Sequence, residues 1–172
     1  MADPEILVGI VMGSASDWPS LEPAAELLTK WGIGVEVSVA SAHRSPHRAQ
    51  AYAREAADRG LKVIIAAAGA AAHLAGVLAA ETTLPVIGVP LPSSSLQGLD
   101  SLLSTVQMPA GVPVATMALG SAGARNAALF AVQILAVSDP GLQEKLIEHK
   151  IDLEAKVAEQ NARIPAVYHP QK

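Results

Sequence analysis

The sequence predicts an α/β protein whose parallel sheet is covered by helices, on three observations. Short β-branched runs alternate with helical patterns five times, most of those runs are almost continuously apolar, and three of the turns after them carry glycine, hydroxyls or charge. The implied architecture is a three-layer αβα sandwich of the flavodoxin or Rossmann kind.

The elements follow in order. Glu5–Met12 reads as a buried strand, entered straight from Met1–Pro4, and residues 13–17 as a turn. Trp18–Trp31 reads as a helix with Ser16 or Asp17 as N-cap and Pro19 in its first turn. Val35–Ala40 is a second strand, Ser41–Pro46 a loop, and a helix runs from Pro46 to about Arg59 with Gly60 as its C-cap. Lys62–Ala67 is a third strand, followed by a turn at Gly69 and a helix through about Glu81. Pro85–Val89 is a fourth strand, Pro90–Gly98 a loop, and Leu99–Val106 a short helix. Val112–Met117 is a fifth strand, and Gly120–Gly123 turns into a helix from Arg125 to about Val137. Pro140 opens a polar helix through about Ala162, and residues 163–172 read as a loose tail. The 172 residues fit one catalytic domain, with a core over 5–138 and the last helix over 140–162.

Composition narrows the class. Hydrophobic residues make up 51% of the chain and aromatics only 3%, with a mean hydropathy of +0.33. A membrane protein and a doubly covered sheet both fit those values. No apolar run reaches the roughly 18 residues that a spanning helix needs, so the sheet is the better account. The net charge of −4 and the lack of a basic cluster argue against nucleic acid as partner. With no cysteine, disulfides and thiolate chemistry are excluded, and no His or carboxylate pair has a metal-binding spacing. An N-terminus without a basic region and a cleavable apolar segment points to the cytoplasm.

Ligands of open α/β sheets sit outside the carboxyl ends of the strands, and three such ends are chemically rich. Gly13-Ser14-Ala15-Ser16-Asp17 joins a strand to a helix, where free N–H groups and the helix dipole favour an anion. Two hydroxyls add donors, and Asp17 can accept from sugar hydroxyls. The same residues read equally as an ordinary capped turn, and they form neither a P-loop nor a dinucleotide fingerprint. In Ser41-Ala42-His43-Arg44-Ser45-Pro46, Arg44 suits phosphate and His43 is of the residue type that exchanges protons near neutral pH. A surface loop with an idle histidine is the plainer reading. Ala68–Gly76 is a small-residue turn against which a planar ligand could lie, with His73 either orienting it or serving as a common helical histidine. Serine hydrolysis has the same residue types, but no G-x-S-x-G elbow is present.

Together these segments resemble the class I N5-carboxyaminoimidazole ribonucleotide mutases, the bacterial PurE family of purine synthesis. The resemblance is carried by GSASD (13–17), SAHRSP (41–46), AAAGAAAHLAG (66–76), LPVIGVP (84–90), GLDSLLSTVQMPAGVPVAT (98–116) and AGARNAALFAVQIL (122–135), in the family's order and spacing. It implies rearrangement of N5-carboxyaminoimidazole ribonucleotide (N5-CAIR) to 4-carboxy-5-aminoimidazole ribonucleotide (CAIR) without metal, biotin or ATP. It implies His43 as general acid/base and substrate contacts at Ser14, Asp17 and Arg44, with Ser16, Ser41, Ala68, Gly69, His73 and Leu74 around the ligand. It also implies a homo-octamer with sites between subunits. The sequence departs from the family at Ala67 and Ala70, where glycine is usual, and at Ala75, where proline is usual. If position 70 needs a positive φ, alanine strains it.

Two further expectations complete the reading. Leu142, Leu146, Leu153 and Val157, widened by Ile147 and Ile151, form an apolar stripe on the last helix, which is expected to extend to a neighbouring subunit. Arg44 after His43 favours the mutase over the animal-type relative, which adds free CO2 to aminoimidazole ribonucleotide and tends to carry lysine there. That carboxylase, a related carboxylated-nucleotide enzyme and a non-catalytic phosphometabolite binder remain as alternatives.

Overall fold

In a computed structural model, residues 4–165 and Tyr168 are described. Five parallel strands, β1 (Ile6–Met12), β2 (Gly34–Val39), β3 (Val63–Gly69), β4 (Val86–Leu91) and β5 (Ala115–Thr116), form one sheet in the order β2-β1-β3-β4-β5. The helices are α1 (Trp18–Lys30), α2 (Pro46–Ala56), α3 (Leu74–Glu81), α4 (Leu99–Val106), α5 (Gly120–Ala136) and α6 (Pro140–Ala162). This is the flavodoxin-like α/β fold that the strand–helix alternation predicts.

The strand order sets the layers. The crossover from β1 to β2 runs one way along the sheet and the later ones run the other, so right-handed connections put α1 on the face opposite α2, α3 and α4. Packing agrees on the second face. Val11, Ile64 and Ala66 from β1 and β3 share a cluster with Ala49, Ala53 and Ala56 of α2 and Leu74, Ala75 and Leu78 of α3. Neighbours along the strands point to the other face. Both faces are buried, as Ile10, Val11, Ile64 and Ile65 have no exposed surface. The many alanines on α2 let that helix lie close to the sheet. Gly9 is part of the same fit, because a Cβ there would overlap the Tyr52 hydroxyl.

Several boundaries shift, each for a physical reason. β3 runs to Gly69 because its pairing with β4 continues through Gly69 and Leu91, which overrides the helical preference of its alanines. α3 therefore starts at Leu74 instead of just after Gly69. β4 runs past Val89 and through Pro90. It pairs with β5 only at Ile87 and Gly88, so that flank is an edge where proline costs no ladder bond. β5 keeps two of the six expected residues, since Pro113 has no N–H to donate and a turn occupies Pro109–Val112. α5 begins at Gly120, five residues before Arg125, with Gly123 packed so tightly on Ala118 that a side chain there would overlap its carbonyl.

The chain divides into two compact units, one ending at Ile134 and the other beginning at Leu135. In the second, Asp139 caps α6 by accepting the Gly141 and Leu142 amides at 2.9 and 3.1 Å. Of the expected tail, only Arg163, Ile164, Pro165 and Tyr168 are described; the rest, like Met1–Asp3, lies outside the described residues. Among the described residues no helix is long and apolar enough to cross a membrane.

Candidate active site

Parallel register brings the three predicted segments together. Met12 of β1 sits opposite Val39 of β2 on one side and Ala67 of β3 on the other, so the chain leaves all three strands side by side. The Gly13 amide donates to the Ala67 carbonyl at 3.3 Å, and the Ala40 amide to the Met12 carbonyl at 2.9 Å. A cleft of about 330 Å³ opens there, at the switch point where strand order reverses.

The first wall is a turn that organises itself. Ser14 Oγ accepts the Ser16 amide at 3.3 Å and the Ser16 hydroxyl at 2.8 Å, while Asp17 Oδ2 accepts the Ser14 amide at 3.1 Å. The cap is therefore Ser14 on a short 3₁₀ turn, Ala15–Asp17, and neither Ser16 nor Asp17 caps α1 with its side chain. Asp17 is nevertheless the N-cap residue of α1, one of the two positions the sequence offers, and the extra turn lets the chain leave β1 before α1 begins. Burial raises the Asp17 pKa above its ordinary value, against the opposing effects of the Ser14 amide and the Arg44 charge.

The loop after β2 is likewise closed on itself. The Ser41 amide donates to Ser45 Oγ at 3.0 Å, Ser45 Oγ donates to the Ser41 carbonyl at 3.2 Å, and the Arg44 amide donates to Ser41 Oγ at 3.2 Å. Arg44 reaches over β1, where Nη2 donates to the Gly13 carbonyl at 2.7 Å. No carboxylate among the described residues lies within ion-pair distance of its guanidinium, which leaves a positive charge at the cleft. A second hollow, also about 330 Å³, shares Gly13, Ser14, Ser41 and Arg44 with the first.

His43 turns the other way, toward β3. Its Nε2 lies 2.8 Å from Nδ1 of His73, with the two rings nearly perpendicular at 83°. His73 precedes α3 at the N-cap position and makes no capping bond with its side chain, so it is not an ordinary helical histidine. Ala70 adopts φ 53° in the turn between β3 and α3. The strained position foreseen for that alanine is real, but its methyl does not line the cleft.

Ser14, Ser16, Asp17, Ser41, His43, Arg44, Ala68, Gly69 and Leu74 all line the cleft; His73 does not, and joins through His43. Ala42, Ala71 and Ser93 line it too, and none was picked out from the sequence. Ser93 had a signal: it follows the fourth strand, at a carboxyl end where ligands are expected. Among the described residues no group of three or more His, Cys, Asp or Glu side chains is placed to hold a metal ion.

The profile of the AIR carboxylase family matches residues 7–156. The chain belongs to the AIR carboxylase family. A Pseudomonas aeruginosa relative named N5-carboxyaminoimidazole ribonucleotide mutase is 60% identical over 140 residues, covering 81% of this chain and 86% of its own. A Bacillus subtilis relative of the same name is 52% identical over 158 residues, covering 92% of this chain and 98% of its own. The crystal structure of Treponema denticola PurE matches with a TM-score of 0.82 at 28% identity, over 92% of this chain and 98% of that one. Of the sequence segments that pointed to this family, 13–17, 41–46 and 66–76 supply cleft residues and 84–90 builds β4 beside them.

Proposed function

We propose that this AIR carboxylase family member is an N5-carboxyaminoimidazole ribonucleotide mutase, converting N5-CAIR to CAIR in de novo purine synthesis. The observation that carries the reading is the identity of 52–60% over most of the chain to relatives named for that activity. Those names do not favour the CO2-dependent carboxylase.

The cleft supports a specific division of labour. The Gly13–Asp17 turn and Arg44 hold the ribonucleotide phosphate, with Asp17 accepting from ribose hydroxyls. Ala68, Gly69 and Leu74 offer a close apolar bed for the imidazole ring, with Ser16 and Ser41 at its margin. His43 exchanges the protons. Cleavage of the N–CO2 bond leaves an amine nitrogen that takes a proton from His43. C4 of the aminoimidazole then attacks the retained CO2, and the C4 proton passes back to His43 as aromaticity returns. Substrate and product are isomers, so electrons and atoms balance with proton movements alone.

Retaining CO2 needs a closed pocket, yet His43, Arg44 and His73 are exposed in the single chain. That exposure supports a homo-oligomer, an octamer by resemblance to the family, in which neighbouring copies complete each site. A small-molecule pathway enzyme of this composition belongs in the cytoplasm.

The test is an ultraviolet assay with CAIR in the reverse direction, run beside His43→Asn. Wild type should consume CAIR with N5-carboxylate as the product. The variant should lose turnover by a factor on the order of 10²–10⁴ while still binding CAIR. A folded wild type without turnover would overturn the reading.

A further inference from the structure

We infer that Ser93 donates a hydrogen bond to the carboxylate of CAIR and so fixes the migrating group against Gly69. The inference rests on the mutase reading and names a substrate contact beyond the resemblance.

Three observations lead to it. Ser93 lines the cleft from the end of β4, on the opposite side of β3 from the Gly13 turn. Its side chain lies directly over Gly69, where any Cβ would overlap the Ser93 hydroxyl and come within 2.7 Å of its Cβ. The amide of Ser93 is taken by the Leu91 carbonyl at 2.9 Å, which holds the residue in a tight turn. The other cleft serines are engaged within the protein: Ser16 donates its hydroxyl to Ser14, and Ser14 and Ser41 accept bonds that hold their own turns. Ser93 Oγ makes no hydrogen bond among the described residues and keeps its donor for the cleft.

The order of the strands then assigns what it meets. Arg44 and the serine-rich turn sit over β1, and adjacent strands lie about 4.8 Å apart. A ligand whose phosphate is held there lays its ring over β3 and its far end toward β4. In CAIR the group at the far end from the phosphate is the carboxylate. The bond between His43 and His73 keeps the proton-exchanging ring on that same β3 side. A neutral hydroxyl can hold a carboxylate in the reactant and the product while opposing loss of CO2 between them less than a cation would.

The test compares two ligands that differ only in the carboxyl group. In the reverse assay, Ser93→Ala should lower kcat/KM for CAIR about tenfold or more, the effect of losing a hydrogen bond to a charged group. The inhibition constant of 5-aminoimidazole ribonucleotide, which has no carboxylate, should stay within about twofold. Equal losses for both ligands would mean that Ser93 only shapes the cleft, and unchanged kinetics for CAIR would mean that it makes no contact; either overturns the inference. A folded wild type that does not turn over CAIR would fail the mutase reading first and the Ser93 contact with it.

Discussion

His43 Nε2 and His73 Nδ1 lie 2.8 Å apart although thirty positions separate them in the sequence. One nitrogen must donate and the other accept, so the tautomer of His73 sets that of His43 and the bond fixes its ring. Removing it leaves the proposed acid/base free to rotate. His73→Leu should lower kcat about ten- to a hundredfold with little change in KM, and His73→Gln should recover part of the loss. Steady-state kinetics check this, and an unchanged kcat would show that His43 needs no such support.

Ala70 sits at φ 53°, where a Cβ crowds the backbone at a cost of about 1–2 kcal/mol. Glycine removes that strain but gains flexibility in the unfolded chain, worth about 0.5–1 kcal/mol the other way. Ala70→Gly should therefore stabilise the protein by about 0.5 kcal/mol, read as a higher denaturation midpoint in urea. A lower midpoint would contradict the strain.

Asp17 carries a pKa raised by burial, and Arg44 limits the rise. Between the ordinary carboxylate value and the raised one, the folded chain holds more proton than the unfolded chain. Stability from Asp17 is thus full at low pH and declines as pH rises through that window, the reverse of a paired carboxylate. A carboxyl carbon NMR titration should find Asp17 above 3.8. Arg44→Leu should move it higher still by removing the opposing charge. A downward move would show that Arg44 does not act on it.

α6 exposes Ile147, Ile151 and Val157 at 52, 59 and 63% of their surface. Side chains of this kind on one long helix are costly in water, and a second copy of the chain is the proposed cover. A chain truncated after Pro140 should form an assembly of fewer copies, read as the light-scattering mass divided by the mass of the truncated chain. An unchanged number of copies would remove α6 from the interface.

Much of the fold was legible because a parallel sheet buried on both faces writes itself as short apolar runs between helical ones. The runs for β1, β3 and β4 needed only local reading, whereas α2 ends at Ala56 with Ala57 as its C-cap, short of the expected Arg59 and Gly60. The family was legible too, since GSASD and SAHRSP fall at strand ends where residue type and spacing are fixed by chemistry. Tertiary structure alone decided the rest. β3 keeps its alanines as strand to Gly69 because β4 pairs with them, and Ser14 caps an extra 3₁₀ turn ahead of the Asp17 N-cap through bonds that no periodicity reports. Above all, the meeting of His43 with His73 and of Ser93 with Gly69 depends on which strands lie side by side. Sequence spacing carries local geometry, whereas adjacency across a sheet is set by long-range pairing, and that is where this site is made.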